Sequence, residues 1–173
     1  MEAEFSELPE VGVLGTSHVS ASRKLGNNAA ETSGNGSPNG VVKDPRAIIE
    51  AGPGVYFLDS GAPVDELVRL AEGRGFTVFR LDGHDISDKA TFLREAAVSM
   101  HFPAYFGYNW DAFDECIHDL EWKPANGYVL LYDRFRSFAE DDPSQWETAT
   151  DILRSAVDYW SRERISFYVL LRE

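Results

Sequence analysis

The sequence predicts an α/β domain, a small parallel sheet of about four strands with helices on its faces. Three observations lead there. From Gly54 onward, short apolar runs alternate with amphipathic helical patterns. One of those runs, Tyr128 to Tyr132 (YVLLY), is continuously apolar, the mark of a strand covered on both faces, and Ile165 to Leu171 (ISFYVLL) suits the last strand. The longest helical pattern opens on Asp142-Pro143-Ser144-Gln145, which supplies an acidic cap, a proline at the first helical position and a glutamine at the third. A chain of 173 residues suits one core of ordinary size with a tail.

Residues 1–52 read as a disordered or weakly ordered tail. Between Gly15 and Gly40 the chain is rich in Ser, Gly, Asn, Thr and Ala and has no aromatic residue, so burial cannot offset its ordering entropy. Lys43 to Ala51 suits a turn or two of helix, which Gly52-Pro53-Gly54 breaks. Residues 53–173 form the expected domain. Val55 to Leu58 suits a strand, and Pro63 to Glu72 a helix with Val64, Leu67, Val68 and Ala71 on one side. Phe76 to Leu81 suits the next strand, turned by Asp82-Gly83. Ser87 is the expected cap of a helix running to about Met100, with Phe92, Leu93, Ala96 and Ala97 inward. After the stretch 103–122, Asn126-Gly127 turns the chain into the strand 128–132. The helix from Asp142 runs to about Arg162, burying Trp146, Ala149, Leu153, Ala156 and Trp160, and the strand 165–171 follows.

Pro103 to Trp122, PAYFGYNWDAFDECIHDLEW, carries the strongest functional signal. Asn109 is a good N-cap, Trp110 the first helical residue, and Tyr108 and Phe113 fall at the positions of a hydrophobic staple. At about 100° per residue, Asp111, Asp114, Glu115 and His118 share an arc of roughly 100°, while Trp110, Phe113, Cys116, Ile117 and Leu120 share the opposite side. From Glu95 to Trp122 there are six acids and no Lys or Arg. A merely solvated face normally mixes signs. Three acids on one arc without cations are explained if a basic partner supplies them.

The formal charge of -13 argues the same way and disfavours direct nucleic-acid binding by a general surface field. Cys116 is the only cysteine, so no internal disulfide can form. The acidic start and the lack of a long apolar run predict neither signal peptide nor membrane span, hence a cytoplasmic chain.

Other chemistry finds little support. Glu115 and His118 form a Glu-x-x-His pair, but no second copy accompanies it, so no metal or other cofactor is expected. His84, Asp85 and Asp88 are explained as a turn feeding a helix. His18 and His101 stand beside no nucleophile motif, and Cys116 falls on the buried face. Neither GxGxxG nor GxxxxGK[ST] occurs.

The run Tyr105-Phe106-Gly107-Tyr108-Asn109-Trp110-Asp111-Ala112 through Cys116 resembles the signature of the barstar family, intracellular inhibitors of barnase-type ribonucleases. The resemblance covers roughly Phe76 to Leu171, leaving 53–75 as an added βα unit. It implies a three-layer fold and a non-enzymatic protein, monomeric when free, that acts as inhibitor, immunity protein or antitoxin. Its partner would be a basic ribonuclease or nuclease toxin, blocked by the loop and the acidic helix. Carried over by position, Tyr105, Gly107, Asn109 and Asp111 keep the family pattern. Glu115 stands where the family has an Asp, Asp114 and Leu120 stand where it has contact Trp residues, and Asp158 is the nearest candidate for an acidic contact on the later helix. The alternative is an acidic binding module of the same fold whose basic partner is not a nuclease.

Overall fold

A computed structural model describes residues 45–173. Four parallel strands, β1 (Gly54–Leu58), β2 (Thr77–Asp82), β3 (Gly127–Asp133) and β4 (Ser166–Arg172), form one sheet in the order β1-β4-β3-β2. Among the described residues there are six α-helices, α1 (Pro45–Ala51), α2 (Val64–Glu72), α3 (Lys89–Ser99), α4 (Trp110–Asp119), α5 (Arg136–Asp141) and α6 (Pro143–Arg162). The expected α/β class and parallel sheet are both present. The tail expected over 1–52 lies outside the described residues up to position 44, and 45–51 form α1. No described helix is long and apolar enough to cross a membrane.

β3, which reads as continuously apolar, and β4 lie in the middle of the sheet, where alternate residues supply two cores. Tyr128, Leu130, Tyr132, Phe167, Val169 and Leu171 face α3, α4, α5 and α6, together with Phe79 and Leu81 of β2. Val129, Leu131, Tyr168 and Leu170 face the other way, where Ile48 and Ile49 of α1 and Val64, Leu67 and Ala71 of α2 cover them along with Tyr56 and Leu58 of β1. Helices on both faces of one sheet make the three layers. At the C-terminal ends of the strands, ion pairs Asp82 with Arg134, Asp133 with Arg172 and Arg136 with Glu173 tie neighbouring segments.

Local chemistry fixes the helix starts. Asp142 caps α6 by accepting from the Gln145 amide, with Pro143 at the first position as the sequence predicts. The start of α3 differs from expectation: the cap is Asp88, not Ser87. The Asp88 carboxylate accepts from the Thr91 amide at 2.8 Å, and the Thr91 hydroxyl accepts from the Asp88 amide at 3.1 Å, a reciprocal capping box. Asp88 holds that place because its charged oxygen is the stronger acceptor, and the Thr91 bonds hold its carboxyl below the usual range. Helix α5 is a further difference, since the sequence reading leaves 134–141 without an element.

Among the described residues, one buried side-chain polar atom lacks a partner. The Tyr132 hydroxyl lies in the core with no hydrogen bond, and burial pushes its pKa up. Its ring neighbours are Phe92 and Trp146, and it lies against Gly83, where a Cβ would also come within 2.6 Å of the Asp133 carbonyl.

Tyr132→Phe removes an unpaired hydroxyl without opening a cavity, so stability in urea is expected to hold or rise by up to about 1 kcal/mol. A clear loss would show that the hydroxyl is engaged. Asn109→Ala removes the α4 cap and is expected to lower unfolding stability by about 1 kcal/mol, with the transition still cooperative.

Candidate functional site

The chain leaves α3 at Met100 and runs through an aromatic loop, 101–109, into α4. The loop is anchored from inside. Phe106 is buried, its amide donates to the Pro103 carbonyl at 2.9 Å, and its ring lies 4.8 Å from that of Phe102, which packs in turn on Phe113 and Trp122. Asn109 ends the loop as expected: its side-chain oxygen accepts from the Ala112 amide at 2.9 Å, and its side-chain nitrogen donates to the Gly107 carbonyl at 3.3 Å. A Cβ at Gly107 would meet that nitrogen at 3.0 Å. A side chain there would press on the Asn109 cap, which would have to give slightly.

Five non-glycine residues among those described have positive φ, and three of them, His101, Tyr108 and Leu120, bracket this loop and helix. Left-handed backbone costs a non-glycine residue roughly 1–2 kcal/mol, so surrounding contacts must hold it. At Leu120 the side chain is fully buried and its amide donates to the Cys116 carbonyl, ending α4 where a glycine would be usual.

Helix α4 faces two ways, as its periodicity predicts. Phe113, Cys116 and Ile117 are buried. Burial, then the charges of Asp119 and Glu115, push the Cys116 thiol up, as suits a packed group. On the outer side Asp111 and Glu115 are exposed and make no ion pair among the described residues. Tyr105 is 75 % exposed, and its phenol is pushed up by desolvation and by the nearby carboxylates of Asp119, Glu121 and Glu115. The loop therefore lays an exposed tyrosine beside the acidic end of α4.

Tyr105, Gly107, Asn109, Asp111, Asp114 and Glu115 thus lie on one continuous stretch of loop and helix. Asp158 lies exposed on α6, next to Tyr159, and makes no ion pair among the described residues. Two expectations change. Tyr108, placed by its spacing as half of a staple with Phe113, pairs its ring with Phe106 at 4.9 Å and borders a shallow cleft of about 400 Å³ with Asp88, Lys89, Asp142 and Gln145. The φ of +50° turns it outward. Asp114 is half-buried and not without a partner: His118 Nδ1 lies 3.4 Å from its carboxylate.

His118 is a residue that sequence reasoning placed on the acidic arc without a role. Its ring fills the seam between α4 and α6, edge-on to Tyr159 with centroids 4.9 Å apart. Trp110 was equally missed as a support: its indole donates to Gln145 Oε1 at 2.8 Å, and Lys89 Nζ stands 5.5 Å over its ring. Tryptophans donating across elements leave no periodic signal.

Among the described residues, no group of three or more His, Cys, Asp or Glu is placed to hold a metal ion. His84 and Asp85 are exposed and 3.9 Å apart, on the turn leading from β2 towards α3. What the site offers is an ordered aromatic loop and an adjacent row of carboxylates, a surface suited to cationic groups.

Comparison with curated proteins gives no match. Residues 76–172 match the family model described as Barstar (barnase inhibitor), which spans β2 to β4 with the loop and α4 inside it, while β1 and α2 precede it. The match covers more than half of the chain, and the protein belongs to the barstar family.

Proposed function

We propose that this protein is an inhibitor or immunity protein that binds a basic ribonuclease and blocks its active site with the loop 103–109 and the outer arc of α4. The observation that carries this reading is the pair of carboxylates, Asp111 and Glu115, without an ion-pair partner among the described residues, on a stretch without Lys or Arg and beside the exposed Tyr105. Unpaired acids on one arc repel each other. A cluster of Arg, Lys and His in a ribonuclease active site relieves that repulsion through charge-assisted hydrogen bonds.

The roles follow from position. Asp111 and Glu115 take the place of substrate phosphates before the enzyme's cations, Tyr105 supplies apolar contact with a polar tip, and Gly107 and Asn109 fix the loop for close approach. Asp158 adds a peripheral charge from α6. Asp114 and Glu115 depart from the family pattern, and Leu120, which stands where the family has a contact Trp, is buried as the end of α4. These departures favour a target other than barnase itself. Barnase with barstar is the standard measured case of charge coupling across an interface, so the steering expected here is that system's behaviour and not a new magnitude.

Capture of partners from the native host with the full chain, followed by a ribonuclease assay, is expected to yield a basic ribonuclease that the added protein inhibits. Capture of basic proteins without nuclease activity would instead favour a binding module of the same fold. With the captured partner, Asp111→Ala and Glu115→Ala are each expected to weaken association on the order of tenfold or more at low salt. The effect should shrink as salt rises. Unchanged affinity in both variants would remove α4 from the interface.

A further inference from the structure

His118 sits one helical turn after Asp114, and both of its ring nitrogens are engaged. Nδ1 lies 2.6 Å from the Asp114 carbonyl and 3.4 Å from the Asp114 carboxylate. Nε2 lies 3.4 Å from the Ser155 hydroxyl of α6, and the ring packs edge-on against Tyr159 of the same helix. The side chain is 18 % exposed, so its orientation is set by both helices while a proton can still reach it from solvent.

We propose that His118 is a positioning residue for the acidic face: it holds Asp114 against the seam between α4 and α6 and, by its own protonation, sets how much negative charge that face offers a cationic partner. The inference rests on reading that face as the partner surface. Its chemistry follows from the partners. A carbonyl oxygen can only accept, so Nδ1 carries the proton in the neutral ring and Nε2 accepts from Ser155. On proton uptake both nitrogens donate, and the Ser155 hydroxyl, which can do either, turns to accept. Neither state loses a hydrogen bond, so the ring can charge without rearrangement of the seam.

The charged ring then stands 3.4 Å from the Asp114 carboxylate and cancels one of the negative charges on the arc. Glu115 and Asp119 flank it on α4. On α6 the packed group is Tyr159, with Asp151, Arg154 and Asp158 on neighbouring turns, and Arg154 is paired with Asp151 at 3.2 Å. The surroundings are mainly acidic. Proton uptake at His118 therefore lowers the negative charge of the face while leaving its carboxylates in place. A cationic partner binds the neutral-ring form more tightly and the charged-ring form less.

Two measurements on the full chain test this. Nitrogen-15 spectra of the free protein are expected to show the Nδ1–H tautomer at about pH 8, and amide signals of Ser155 and Tyr159 that move together with His118 on going to about pH 5.5. The Nε2–H tautomer, or a titration confined to His118, overturns the proposal. In the second, affinity for a heptaarginine peptide at low salt is expected to fall by about threefold over that range. His118→Gln, which cannot charge, is expected to lose that pH dependence while Ser155→Ala keeps it. Equal pH dependence in His118→Gln, or no peptide binding at either pH, also overturns it. Because neither probe is a nuclease, failure to capture a ribonuclease sinks that target and leaves the role of His118 standing or falling by itself.

Discussion

The position of α4 depends on indole hydrogen bonds that cross between elements. The helix belongs to no strand ladder, and its buried side is only Phe113, Cys116 and Ile117 wide. Trp110 at its start donates to Gln145 at the start of α6, and Trp160 near the end of α6 donates to the Ile117 carbonyl at 2.9 Å. Trp122, beyond its end, donates to the Met100 carbonyl at 3.1 Å, which ties the exit of α4 to the end of α3. An indole N–H left unpaired in such surroundings costs about 1–3 kcal/mol, so each ring has one satisfactory seat. The three bonds together fix both ends of the helix against α3 and α6, and thereby fix where its carboxylates point.

The loop before α4 is ordered by a different device. Phe102, Phe106 and Phe113 form a chain of ring contacts inside, and Tyr108 closes it from outside. That packing supports left-handed backbone at His101 and Tyr108. A surface already held in its binding geometry loses less conformational freedom on association than a mobile one. The strain at the loop and the burial beneath it are thus parts of one arrangement: the contacts that a buried Phe106 provides are what keep an exposed Tyr105 in place.

Much of this was legible in the residues, for identifiable reasons. YVLLY marked a doubly covered strand because a short apolar run rich in β-formers and bounded by the Asn126-Gly127 turn suits burial on both faces. Asn109 marked the start of α4 because its side chain competes for the first-turn amides. Helix α5 was not legible: its only buried position is Phe138, too little to show a period. Asp88 displaced Ser87 as a cap because Thr91 stands three residues after it, the spacing of a reciprocal cap, whereas Ala90 holds that place after Ser87. The pairing of Asp114 with His118 was hidden for another reason. A wheel gives the angle of a residue around its own axis, whereas the seam with α6 that receives His118 is a property of two helices at once.

The sheet's order has a consequence for how the molecule is made. Among the described residues β1 is the first strand, and its only strand neighbour is β4, the last of the sheet. The register runs from Gly54 opposite Tyr168 to Leu58 opposite Arg172, and the Glu173 amide closes it by donating to the Leu58 carbonyl. During synthesis β1 therefore emerges early and waits, with its backbone groups unpaired by any strand, until β4 has been made. Contacts so distant in sequence form slowly, because closure of the intervening chain precedes their reward. Assembly of this sandwich is gated by its latest piece, and until then an apolar edge is open to chaperones or to stray strands.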